Sequence, residues 1–121
     1  MPVAHLYVVG LGPEEVRRLG EEATDIYADA LTCPIERVRV YVVNHAPENV
    51  WVAGVNCGEG GAPMPFFTAR FRTARPHSQR KAVLHRFAEL LAEVCRVDIS
   101  GVRGQVIPVD SENWLTAKNW G

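Results

Sequence analysis

Two short stretches hold residues that could do chemistry. MPVAHLYVV places a proline at position 2, directly ahead of an apolar run, and RTAR places Arg72 and Arg75 three residues apart. If Met1 is removed, as initiators are when a small residue follows, Pro2 becomes a secondary amine on a rigid ring. An α-amino group titrates at about 7.7–8.0, and both burial and nearby cations favour its neutral form. A neutral amine near pH 7 is a general base: it can take the proton of an enol hydroxyl and return it to carbon. Held protonated, the same amine is a general acid suited to adding water across an activated multiple bond. Two arginines that converge on one carboxylate bind it through parallel hydrogen bonds. They also fix the reacting atoms and stabilise charge that spreads onto a 2-oxo acid as it enolises. The competing reading is structural. The first residue of a strand tolerates proline, and Arg70, Arg72 and Arg75 could form a solvated basic sheet margin. Strand alternation sets Arg72 on the face of Phe66 and Thr68, away from Phe67 and Phe71.

The elements that would carry these residues occur twice. Slid by 64 positions, PIERVRV (34–40) lies over DISGVRG (98–104), and APENVW (46–51) over DSENWL (110–115). Leu19, Ala23, Ile26 and Ala30 fall on Val83, Phe87, Leu90 and Val94; with one residue of slack, MPVAHLYV falls on MPFFTARF (64–71), placing Pro2 over Pro65. The repeat divides the chain, as a single domain, into units of about 1–60 and 64–121. Each reads strand, helix, strand, turn. Residues 2–9 are apolar and β-rich. Pro13, Glu14 and Glu15 suit a helix start, apolar residues then recur at helical spacing, and Pro34 stops the helix. VRVYVV (38–43) is the next strand, and NVWVAGV (49–55) an extended piece near a turn. In the second unit, 66–72 predicts a strand, about 77–96 a helix and 102–107 a strand.

A strand–helix–strand unit of this length is a crossover with parallel strands. Two of them predict an α/β (α+β) fold: a four-stranded sheet with both helices on one face. Val3, Leu6, Val8, Val40, Val42, Phe66 and Phe71 are more apolar side chains than two helices cover, and exposed area of that kind marks an oligomer interface. GVNCGEGGAPMP (54–65) lacks the lysine and Ser/Thr of a phosphate-binding loop and reads as a linker.

The totals narrow the partners. The chain of 121 residues is 47% hydrophobic and 22% charged, with a formal net charge of −1. That balance argues against nucleic acid and anionic membranes. No apolar run reaches the roughly 20 residues of a bilayer span, and no signal-peptide pattern opens the chain, so a cytoplasmic location is expected. Three cysteines without a CxxC pair, and four scattered histidines, argue against disulfides and metal and predict small buried thiols.

The Met-Pro start, a unit ending in VRV, and a closing turn of the PEN-aromatic kind resemble the tautomerase superfamily. The likeness extends over nearly the whole chain. It is closest to the fused two-unit branch that includes cis-3-chloroacrylic acid dehalogenase, whose Arg-x-x-Arg motif RTAR matches. The resemblance implies a cofactor-independent homotrimer acting on a small carboxylate substrate, with Pro2 catalytic and Arg72 and Arg75 substrate-binding. Keto–enol tautomerisation of phenylpyruvate- or 2-hydroxymuconate-like acids is the leading activity. Hydration or dehalogenation of 3-haloacrylates, or decarboxylation of malonate semialdehyde, with Pro2 as general acid, is the alternative. A non-enzymatic binding protein with an inert Pro2 is the remaining one.

Other family positions differ here. Tyr27 stands where the branch has a histidine, Arg103 where it has a tyrosine, and Trp114 at its water-activating glutamate, with Glu112 two residues away. These departures weigh against efficient dehalogenation and leave tautomerisation intact. Arg39 corresponds to an arginine that reaches the site of the small tautomerases, or pairs with a carboxylate; Arg103 is its repeat partner. Tyr27 could equally cap the core with its ring. Glu112 suits a surface turn, His77 a helix start, and Trp51, Trp114 and Trp120 packing.

Overall fold

The computed structural model describes residues 1–118. In chain order the elements are β1 (Val3–Val9), α1 (Pro13–Leu31), β2 (Arg39–His45), β3 (Trp51–Val52), β4 (Val55–Asn56), β5 (Phe66–Arg72), α2 (His77–Cys95) and β6 (Arg103–Val109). Gly10, at φ +62°, ends β1, and Gly12 then caps α1. Its N–H donates to the Glu15 side chain at 3.0 Å, with Pro13 in the first turn. Leu19, Ala23, Tyr27 and Leu31 form the buried stripe of α1, and Val83, Phe87, Leu90, Leu91 and Val94 that of α2. Both helices end on a non-glycine residue in the left-handed region, Thr32 and Arg96, which are 64 positions apart like the repeat itself.

The four-stranded sheet runs β2-β1-β5-β6. Each unit's own strands are parallel: Val3 lies opposite Arg39 and Phe66 opposite Arg103. The two registers coincide when Val3 is laid on Phe66 and Arg39 on Arg103, so the slack of one residue falls between the first strand and the second. The units meet through β1 and β5, which are antiparallel with Val3 opposite Arg70 and Tyr7 opposite Phe66. The extended piece predicted at 49–55 resolves into a β3–β4 hairpin. Ala53 and Gly54 turn it with positive φ at both, the two-residue geometry that matches strand twist.

Both helices pack together on one face of the sheet, over Ala4, Leu6, Val8, Phe67, Ala69 and Phe71. The centre is aromatic. Phe87 meets Tyr27 and Phe67 edge-on at 5.1 and 5.5 Å between centroids, and Tyr27 meets Phe71 at 6.2 Å. The buried Tyr27 hydroxyl donates to the Arg70 carbonyl at 2.8 Å and lies 3.3 Å from that of Val3, so it ties α1 to both strands of the antiparallel junction. Tyr27→Phe is expected to lose about 1 kcal/mol in a urea melt with the far-ultraviolet spectrum unchanged. The cysteines are free and half-buried rather than buried. Burial pushes the Cys95 thiol up to about 11, with the Glu15 charge adding to it.

The uncovered face differs from expectation. Leu6, Val8 and Phe71 lie under the helices, and Val40 and Val42 pack against the core from the same side. Strand pairing leaves Val3 and Phe66 on the opposite face, together with a ladder of rings. Tyr41 stacks on His5 at 5.2 Å, His5 on Tyr7 at 6.1 Å, and Tyr7 on Phe66 at 5.7 Å. The pleat sorts residues by parity, and an apolar count along the chain does not. No helix among the described residues is long and apolar enough to cross a membrane.

Candidate active site

Pro2 precedes β1, and its ring is fully buried. On one side the Arg39 N–H donates to the Pro2 carbonyl at 3.1 Å, which fixes it to the start of β2. On the other side runs the end of β5. Because Val3 faces Arg70, antiparallel pairing brings Pro2 beside Phe71 and Met1 beside Arg72. The first unit's start thus meets the second unit's RTAR through backbone register alone. A small cleft of about 80 Å³ opens there, walled by Met1, Pro2, Leu31 and Phe71, with Cys33, Arg37, Arg72 and Arg75 around it.

The cleft is electropositive, and among the described residues no carboxylate lines it. With Met1 in place the amine at this point belongs to Met1, and Pro2 nitrogen is an amide. That amine is held below its ordinary value of 8.0, first by burial and then by the Arg39, Arg72 and Arg37 guanidiniums; Cys33 pulls weakly the other way.

The predicted residues separate. Pro2, Arg72 and Arg75 line the cleft, and Arg39 acts on its amine through space. Arg75 is committed to structure: one guanidinium nitrogen bonds the Leu31 carbonyl at the end of α1 and lies 3.4 Å from Gln79 Oε1. Arg103 is at the opposite end of the sheet, at the start of β6, where it donates to the Ser100 carbonyl at 2.7 Å. Tyr27 lies in the core with its hydroxyl bonded to backbone, and burial raises its pKa well above the ordinary phenol range. Glu112 is exposed in the short turn Ser111–Asn113 after β6, with Trp114 half-buried behind it; neither lines the cleft. His77 begins α2, Trp51 is exposed in the hairpin, and Trp120 lies outside the described residues.

Sequence reasoning missed Arg37 and Cys33. Arg37 did leave a signal. It is two residues before Arg39, in a helical turn (Ile35–Arg37) that feeds β2 where β2 meets Pro2.

The repeat has a second such place. Pro65 precedes β5 beside the end of β1, and a cleft of about 30 Å³ there is lined by Val9, Leu11, Pro63, Met64, Pro65 and Cys95. Among the described residues no guanidinium lines it, and Pro65 nitrogen is an amide.

No protein-family model matches the sequence, and no curated protein does. Solved structures do. Pt0534 inactivated by 2-oxo-3-pentynoate superposes with a TM-score of 0.86 at 22% identity, over 95% of this chain and 91% of that one. Native fused 4-OT gives 0.86 at 19%, over 95% and 92%. A wild-type fused 4-OT described as an asymmetric trimer gives 0.81 at 20%, over 95% and 92%. The fold is therefore that of the fused 4-OT structures.

Proposed function

We propose that this chain, with the fold of a fused tautomerase, is a cofactor-independent keto–enol tautomerase of small 2-oxo or enol carboxylates. Pro2 is its general base once Met1 is removed. The observation that carries the reading is the buried Pro2 ring at the chain start, in a cleft that Arg37, Arg72 and Arg75 also line, where burial and the Arg39, Arg72 and Arg37 guanidiniums lower the pKa of the Met1 amine. A neutral secondary amine there accepts the proton of an enol hydroxyl and delivers it to carbon. The arginines, Arg72 foremost, bind the carboxylate and stabilise the charge that builds on it. The guanidiniums around the cleft disfavour the protonated amine that hydration or dehalogenation would need. The uncovered aromatic face of the sheet suits a homotrimer, the assembly named for one of the fused 4-OT structures.

The test is a pH–rate profile on phenylpyruvate enol and 2-hydroxymuconate, with intact mass confirming loss of Met1. The base works only when neutral. kcat/KM is therefore expected to rise with pH through one ionisation, that of the Pro2 amine, then stay flat. A rate that falls across that range is the signature of a protonated acid and would overturn the assignment.

A further inference from the structure

The structure assigns Arg37, rather than Arg75, as the second arm of the carboxylate clamp, facing Arg72 across the start of β1. This rests on the reading of the cleft as a carboxylate site. RTAR alone supplies two guanidiniums, but Nη1 of the second is already bonded within the fold. Arg75 reaches the Leu31 carbonyl at the end of α1, one of the acceptors a helix leaves without an intrahelical donor. Its own carbonyl accepts from Arg80 Nε at 3.3 Å, so the backbone at this position is held as well. Pulling Arg75 Nη1 toward a ligand would take this donor from the Leu31 carbonyl.

Among the described residues the Arg37 side chain has no such commitment. Its side chain is exposed and lines the same cleft. Its backbone is fixed: the Arg37 N–H donates to the Pro34 carbonyl at 3.0 Å, and the Val38 N–H to that of Ile35 at 3.0 Å. In the sheet order β1 lies between β2 and β5, so Arg37, leading into β2, and Arg72, ending β5, approach the chain start from opposite sides. A carboxylate bridging them sits over the amine. Arg39 also lowers that amine's pKa but does not line the cleft, so its influence is electrostatic only.

The test measures binding of a non-reacting 2-hydroxy carboxylate by titration calorimetry, beside KM for an enol carboxylate. Arg37→Gln is expected to raise both the Kd and KM by roughly 10- to 100-fold, the loss of a charged hydrogen-bond pair, and to move the inflection of the pH–rate profile upward. Arg39→Gln is expected to move the inflection alike with KM within about threefold. Arg75→Lys keeps a donor for Leu31 and is expected to leave the Kd within about threefold. The assignment is overturned if Arg37→Gln binds like the parent, or if Arg75→Lys weakens binding as much as Arg37→Gln does. Binding of an unreactive acid does not involve proton transfer. A parent that binds but does not turn over would therefore refute the base and leave the clamp supported, and one that binds nothing would refute the clamp.

Discussion

Pro2→Ala is expected to lower kcat/KM for an enol carboxylate by about 10²- to 10⁴-fold, the range that positioned proton transfer contributes. The fold should survive. The Pro2 carbonyl that accepts from the Arg39 N–H remains in the variant, and the loss is one buried ring at the end of a strand. Alanine is small enough for Met1 still to be removed, so the variant keeps a primary amine at the same place and some residual rate. What it loses is the secondary amine held in a rigid ring. Circular dichroism and the mass of the assembly should match the parent. Undiminished turnover in a processed Pro2→Ala chain would remove Pro2 from the mechanism. A preparation that retains Met1 gives an independent check. There Pro2 nitrogen is an amide without basicity, so activity must scale with the processed fraction read from intact mass.

The second large effect is where the edge strand β6 meets the core, at the exposed Gly104. Gly104→Val is expected to destabilise the protein by about 3 kcal/mol, the upper end of the usual cost of overpacking. Gly104 lies directly opposite Phe67 in the β5–β6 register, and a Cβ built on it would come within 2.1 Å of the Phe67 ring. Phe67 is buried and held edge-on against Phe87, so the ring has little room to give. The first unit makes the same contact with the sizes exchanged: Ala4 lies opposite Val40. Ala4 corresponds to Phe67 and Val40 to Gly104 under the repeat. Phe67→Ala alone should cost about 3–5 kcal/mol. The double variant Phe67→Ala, Gly104→Val copies the pair that the first unit already uses. It is expected to lose less than the sum of the two, with a coupling of at least about 1 kcal/mol in urea melts. Simple additivity would mean that the two positions do not share the space.

These two effects also show what the sequence carried and what it did not. The elements were legible because each has a local cause. Proline and glycine bound the helices, apolar residues recur at a helical period, and the repeat gives every element a second witness. The predicted strand 66–72 and the observed β5 coincide, and β2 and β6 differ from 38–43 and 102–107 only at their ends. The antiparallel meeting of β1 with β5 was not legible, since nothing local to either strand chooses its neighbour. Without that junction the nearness of Pro2 to Arg72 rested on resemblance alone. Arg75 illustrates a different limit. A motif shows which side chains are present at a spacing, and only the fold shows that a helix end already uses one of them. Tyr27 is similar: its stripe position on α1 was evident, while its hydrogen bond to Arg70 depends on a strand 43 residues away.

The antiparallel junction has a consequence for anyone who would re-engineer this chain. It sets the two clefts at opposite ends of the sheet and draws each from both units. The Pro2 cleft uses residues up to 37 and from 71 to 75, while the Pro65 cleft uses 9–11, 63–65 and Cys95. The two sets share no position. A library confined to Val9, Leu11, Pro63 and Met64 would therefore explore new recognition at one end while the other end keeps its residues. A protein assembled from copies of a single such unit has no comparable freedom, because any substitution in it is repeated at both ends.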